Sequence, residues 1–207
     1  ISRSNPRWSL PNLLTYGRVV AVPIVVGLMF WPELYWARWT ALGIYAVAAI
    51  TDFFDGYLAR ILSQHSALGR MLDPIADKLL VGAALMMLVG QGHLSTWGLY
   101  PAIVIMLREI LVSGLREYLA GIRVGLPVTG LAKWKTGFQM GALGTLLAGD
   151  TTAVLLHLSF LPVSMIGEIM LWVAAGLTLV PGWDYLTAGL HHASSPARAS
   201  SMSKHPG

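Results

Sequence analysis

Cysteine is missing from all 207 residues. Disulfides, thiolate metal ligands and cysteine nucleophiles are thereby excluded, so any chemistry must be carried by oxygen and nitrogen groups. Charge is the second shortage: 12% of residues are Asp, Glu, Lys or Arg, against about 25% in an ordinary soluble domain. Combined with 55% hydrophobic residues and a mean hydropathy of +0.62, that shortage excludes a water-soluble fold. A chain of this length cannot bury so much apolar surface in one core and coat the outside with so few charges. Lipid is the solvent that resolves the imbalance. The net charge of +4 is scattered and forms no clustered basic face, so no nucleic-acid partner is expected. No internal repeat is visible.

Six stretches are long enough to cross a hydrocarbon layer if polar positions face the inside of a bundle: about 13–31, 37–60, 71–91, 97–120, 133–150 and 163–190. Trp31-Pro32, Trp36 with Trp39, Gly90-Gln91-Gly92, and Trp97 with Tyr100 mark their ends. The first stretch is too long for a signal-peptide core and lacks a small-residue cleavage site, so it reads as a retained span. The expected fold is an all-α integral membrane protein with six transmembrane helices in one catalytic domain, residues 1–190. The 191–207 tail, rich in Ser, Ala and His, reads as disordered. Arg3, Arg7, Arg60, Arg70, Arg116, Arg123, Lys133, Arg198 and Lys204 fall on one side of this topology. The positive-inside rule makes that side, and both termini, cytoplasmic.

Carboxylates then stand out where they are costly. Asp52, Asp55, Asp73 and Asp77 lie within apolar segments, and each intramembrane carboxylate costs about 2.5–3.5 kcal/mol even on a lenient insertion scale. Ion pairs with Arg60, Arg70 and Lys78 are one way to neutralise them. The spacing points to another. Asp52, Asp55, Gly56 and Ala59 recur at helical intervals on one stripe, and Asp73 and Asp77 are one turn apart on the next segment. Two antiparallel helices joined by a short loop bring all four carboxylates into one pocket. Hard oxygen donors without His or Cys suit Mg²⁺ or Mn²⁺, and two such ions offset four negative charges. Paired cations are the usual partners of phosphate chemistry. Gly56 and Ala59 either clear the stripe for a bulky ligand or serve close helix packing. Gly69 either relaxes a turn or exposes amides to an anion.

The run Asp52-x2-Asp55-Gly56-x2-Ala59-Arg60-x8-Gly69-x3-Asp73-x3-Asp77 matches the signature of the CDP-alcohol phosphatidyltransferases without a gap or substitution, and the chain resembles that family. Pro11-Asn12-Leu13-Leu14-Thr15-x2-Arg18, Met71 to Leu80, Arg108 to Glu117 and Ala132-Lys133-Trp134-Lys135-Thr136 with Gln139-Met140 are similar to the bacterial branch that uses sn-glycerol 3-phosphate. The likeness runs from about residue 9 to 185 and leaves the tail out. It implies a six-span homodimer in the bacterial inner membrane with its active site facing the cytoplasm. The implied reaction takes CDP-diacylglycerol and glycerol 3-phosphate to phosphatidylglycerophosphate and CMP with two divalent cations. On this reading Asp52, Asp55, Asp73 and Asp77 hold the metals. Asp77 is also the general base, as in the family, and one turn beyond Asp73 it reaches past the metals toward an alcohol. Gly56, Ala59, Arg60 and Gly69 meet the CDP-diacylglycerol, while Asn12 and Thr15 either touch its diphosphate or cap the first helix.

Cations inside the later spans fit the same acceptor. Arg108 lies near mid-span, Arg116 follows two turns later, and Lys133 and Lys135 open the fifth stretch. They either pair with Glu109, Glu117 and lipid headgroups, or form the site for the phosphate of glycerol 3-phosphate, whose oxygens match an arginine fork. Arg18 either snorkels or joins the pocket. His65, His93, His157, His191 and His192 lack ligand spacing. A divalent-cation transporter is the rival class. It has no use for Gly56, Ala59, Arg60 and Gly69 at fixed offsets, and neither an inverted repeat nor a pore-like ring of charges is visible.

Overall fold

The computed structural model describes the backbone of residues 10–31, 33–62, 67–121, 130–157 and 160–194, without the side chains of 10–11, 53–62, 67–71, 73, 120, 131–132, 181, 183–186 and 188–194. Its elements are α1 (Leu10–Met29), α2 (Tyr35–Leu62), α3 (Ala67–Gly90), α4 (Thr96–Gly121), α5 (Leu131–Leu155) and α6 (Val163–Ser194). No strand occurs among the described residues. Helices are what a lipid-facing chain requires, because each satisfies its own backbone hydrogen bonds where no water can. The expected segments reappear with small shifts: α1 begins earlier, and α6 continues to Ser194, past the expected end at 190. The rest of the expected tail, 195–207, lies outside the described residues.

The helices divide by composition. α1, α4 and α6 contain the windows Asn12–Met29, Thr96–Leu119 and Val163–Val180, each long and apolar enough to cross a membrane. They expose large apolar side chains such as Val20, Ile24, Ile103, Leu107, Ile169 and Trp172. The chain is therefore a membrane protein. α2, α3 and α5 are of similar length but carry Arg38, Asp52, Asp77, Lys78 and Lys135. Pro23, Pro74 and Pro101 sit inside α1, α3 and α4 without ending them, as neighbouring helices in a membrane bundle permit.

Between the helices runs a continuous core that includes Val25, Tyr45, Leu80, Leu88, Leu143, Leu146 and Leu171, each almost fully buried. α1 packs on α2 and α3, α5 on α2 and α6, and α4 on α6. The α5–α6 seam is tight because Gly141 and Gly167 carry no side chain. A Cβ would come within 2.6 Å of Met170 Cε at the first and 2.7 Å of Leu146 Cγ at the second. α5 kinks at Gly149, where φ is +63°. Space there is also taken, since a Cβ would lie 3.1 Å from Arg38 Nη2. The fifth stretch was expected to end at 150; instead the chain turns at Gly149 and resumes helix to Leu155.

Candidate active site

α1 turns a polar face into the bundle near its start. Asn12, Thr15 and Arg18, three residues apart, are 0%, 2% and 2% exposed. Full burial of a guanidinium is sustainable only beside an anion. Arg18 Nη1 stands 2.8 Å from Asp52 Oδ1 on α2. Of the two roles open to Arg18 in the sequence, the structure places it in the pocket rather than at the lipid interface.

Asp77 lies on α3, within one turn after Pro74. Its Oδ1 is buried and has no hydrogen-bond partner among the described residues. Asp52, Glu109, Lys78 and Lys135 are all near enough to act on it electrostatically, so α2, α3, α4 and α5 converge at this level. Lys78 turns back on its own helix, donating to Pro74 O at 2.8 Å; that carbonyl begins the turn holding Asp77.

A second cluster adjoins the first. Glu109 on α4 accepts a hydrogen bond from Lys135 Nζ on α5 and from Arg108 Nη1 at 3.3 Å. Arg108 Nε in turn donates to Thr178 O on α6 at 3.1 Å. Lys135 and, one turn later, Gln139 are 7% and 4% exposed, which puts two polar side chains on the buried face of α5. Gln139 Oε1 and Thr178 Oγ1 are buried and, like Asp77 Oδ1, lack a partner among the described residues. Each unsatisfied buried polar group costs about 1–3 kcal/mol. A polar ligand would satisfy such groups.

The expected site residues are therefore distributed unevenly. Asp52 and Asp77 act on each other electrostatically, Arg108 and Lys135 meet at Glu109, and Asn12 and Thr15 are buried on the α1 face that carries Arg18. Arg116 and Lys133 are exposed on α4 and α5. The side chains of Asp55, Gly56, Ala59, Arg60, Gly69 and Asp73 lie outside the described residues; the backbone carries them on α2 and α3. Sequence reasoning missed Thr178, a single hydroxyl in an apolar run with no spacing signal. It also left Gln139 without a role, although a polar residue one turn beyond Lys135 on an apolar helix marks the same face.

The opposite end of the bundle is built differently. Arg38 Nη1 donates to Thr151 Oγ1 at 3.2 Å, and its Nη2 stands 3.0 Å from His93 Nε2. Glu168 accepts from Ser95 N at 2.6 Å and from Ser95 Oγ at 2.7 Å, fixing the residue that caps α4 through Gly98 N. Asp150 Oδ1 accepts from Ser164 N at 2.9 Å in the first turn of α6. Burial first, and the Arg38 charge second, hold His93 below the ordinary imidazole pKa.

Comparison with known proteins finds similar chains. The family model described as CDP-alcohol phosphatidyltransferase matches residues 8–180. A protein of Rickettsia bellii is 43% identical over 87% of this chain and 94% of its own. One of Cereibacter sphaeroides is 38% identical over 88% and 96%, and one of Pseudomonas fluorescens 40% identical over 92% and 94%. All three are named CDP-diacylglycerol–glycerol-3-phosphate 3-phosphatidyltransferase.

Proposed function

The chain belongs to the CDP-alcohol phosphatidyltransferase family, and from that premise we propose that it moves the phosphatidyl group of CDP-diacylglycerol to sn-glycerol 3-phosphate, giving phosphatidylglycerophosphate and CMP. The observation that carries this reading to particular residues is the buried Asp77 oxygen, without a partner among the described residues, near the Arg18–Asp52 pair, where α2 and α3 bear the family's signature.

A divalent cation fits this site. Asp77 Oδ1 is a buried hard donor with no hydrogen-bond partner among the described residues, and the Arg18 charge is already set against Asp52. Asp52, Asp55, Asp73 and Asp77 would hold two ions, Mg²⁺ or Mn²⁺. Bound there, the cations offset carboxylate charge and draw electron density from the phosphoryl oxygens. In the transfer, the free primary hydroxyl of glycerol 3-phosphate gives its proton to Asp77 while its oxygen bonds to the β-phosphorus, the one bearing diacylglycerol. The bond from that phosphorus to the bridging oxygen breaks, and the electron pair leaves with CMP. Asn12, Thr15, Gly56, Ala59, Arg60 and Gly69 contact the donor. Arg108 and Lys135, with Arg116 and Lys133 at the exposed approach, bind the acceptor's phosphate; Glu109 holds the inner two cations in place until that phosphate arrives.

All six helices cross the inner membrane in this reading, with both termini and the active site on the cytoplasmic side and two copies forming a homodimer. The test is release of CMP from CDP-diacylglycerol by the purified protein, with alcohols added one at a time. Release should require glycerol 3-phosphate and a divalent cation. Equal release with serine or inositol phosphate would overturn the acceptor assignment, and full turnover after exhaustive chelation would overturn the metal assignment.

A further inference from the structure

We propose that the groove between α1 and α2 seats one acyl chain of the lipid donor, and that Gly43 at its deep end sets the chain length accepted. The inference rests on the donor assignment above. The groove has a volume of about 650 Å³ and runs from Leu13 and Thr51, past Arg18, to Ile24 and Gly43. Arg18 joins it to the active site, because the same side chain that walls the groove is paired with Asp52. A headgroup at Asp52 can therefore continue into the groove without leaving the protein surface.

Two glycines on its walls, Gly17 and Gly43, keep the groove wide. A Cβ at Gly17 or Gly43 would meet nothing within 4 Å. At Gly141 and Gly167, by contrast, a Cβ would collide with the neighbouring helix. Helix approach explains that second pair and does not explain the first. An apolar gap left empty forfeits dispersion contacts along its whole lining, and hydrocarbon is the only solvent at this depth. Gly43 precedes Asp52 by nine residues, about 13 Å of helix. An octanoyl chain held from a headgroup at Asp52 reaches no farther than the level of Gly43, whereas an oleoyl chain extends well beyond it.

The experiment uses the full chain in detergent micelles at saturating glycerol 3-phosphate and compares kcat/KM for dioleoyl and dioctanoyl CDP-diacylglycerol. Gly43→Leu should lower the dioleoyl-to-dioctanoyl ratio by about fivefold or more, since each methylene fitted or excluded by an apolar pocket is worth roughly tenfold. Its kcat/KM for the dioctanoyl donor, and its KM for glycerol 3-phosphate, should stay within about twofold of the parent. Gly43→Ala, a milder change should the leucine variant fold poorly, should move the ratio the same way by less. Gly27→Leu is the control: Gly27 also has open space around it but lies outside the groove, and the ratio should not move. An unchanged ratio in both Gly43 variants would mean that bulk lipid fills the groove, and equal loss on both donors would mean altered helix packing. Either overturns the proposal. Failure of the parent protein to release CMP from either donor would instead overturn the functional reading.

Discussion

The two ends of the bundle solve the same problem in opposite ways. Arg38 and Asp52 lie on one helix, fourteen residues or about 21 Å apart, and both are charges in an apolar setting. At the Arg38 end, three charged groups have neighbours supplied by the fold: Thr151 and His93 for Arg38, Ser95 for Glu168, Ser164 for Asp150. At the Asp52 end, Asp77, Gln139 and Thr178 keep buried polar atoms without partners among the described residues. A fold that satisfies polar groups so thoroughly at one end can do so. Leaving Asp77, Gln139 and Thr178 open among the described residues is what the proposed ligand site requires of the Asp52 end.

The contrast can be broken from either side. The largest effect is expected from Asp77→Asn, which should lower kcat for CMP release by about 10²–10⁴, the worth of a positioned base. The melting temperature should hold or rise, because a buried charge lacking a full set of partners is removed. Lys135→Met comes next. It should raise KM for glycerol 3-phosphate by about tenfold or more, with a smaller effect on KM for the donor, as loss of one buried charged hydrogen bond requires. Changes at the other end should reverse the pattern. Gly149→Ala forces a Cβ onto a backbone at φ +63° and toward Arg38, so thermal unfolding in detergent should show a loss of about 1–2 kcal/mol with kcat within about twofold.

The smallest effect is a pH dependence. Folding depresses the pKa of His93, which faces Arg38 on α2 and lies at the same end as Asp150 on α5. The folded state thus binds fewer protons than the unfolded one. This contribution to stability is present above the unfolded pKa of about 6.5 and is lost as pH falls through the lower folded value. Melting temperatures of the parent and His93→Gln, followed from neutral pH downward, should diverge at neutral pH and converge at the acid end.

Much of this was legible in the residues. Six apolar stretches predicted six helices with small boundary errors, and Asp52 and Asp77, expected on consecutive helices, lie on α2 and α3 within electrostatic reach of each other. What could not be read was pairing between helices. Glu109 and Lys135 are 26 residues apart, and nothing local says that one, rather than Glu117, partners the other. Arg18 had two open roles for the same reason: snorkelling and ion pairing differ only in what the next helix presents. Gly149-Asp150 resembles a stop signal, and the chain does leave helical geometry there. It resumes because the residues after Gly149 can still pack, with Thr152 and Ala153 both buried.

Cation binding without turnover tests the central claim most directly. Mn²⁺ titrated into the detergent-solubilised protein and followed by electron paramagnetic resonance should show tight binding in the parent. Asp77→Asn should weaken it by about tenfold or more, the scale of losing one charged ligand contact, while Glu168→Gln at the opposite end should bind as the parent does. Unchanged Mn²⁺ affinity in Asp77→Asn, or an equal loss in Glu168→Gln, would contradict the assignment of the open, unsatisfied end as the ligand site.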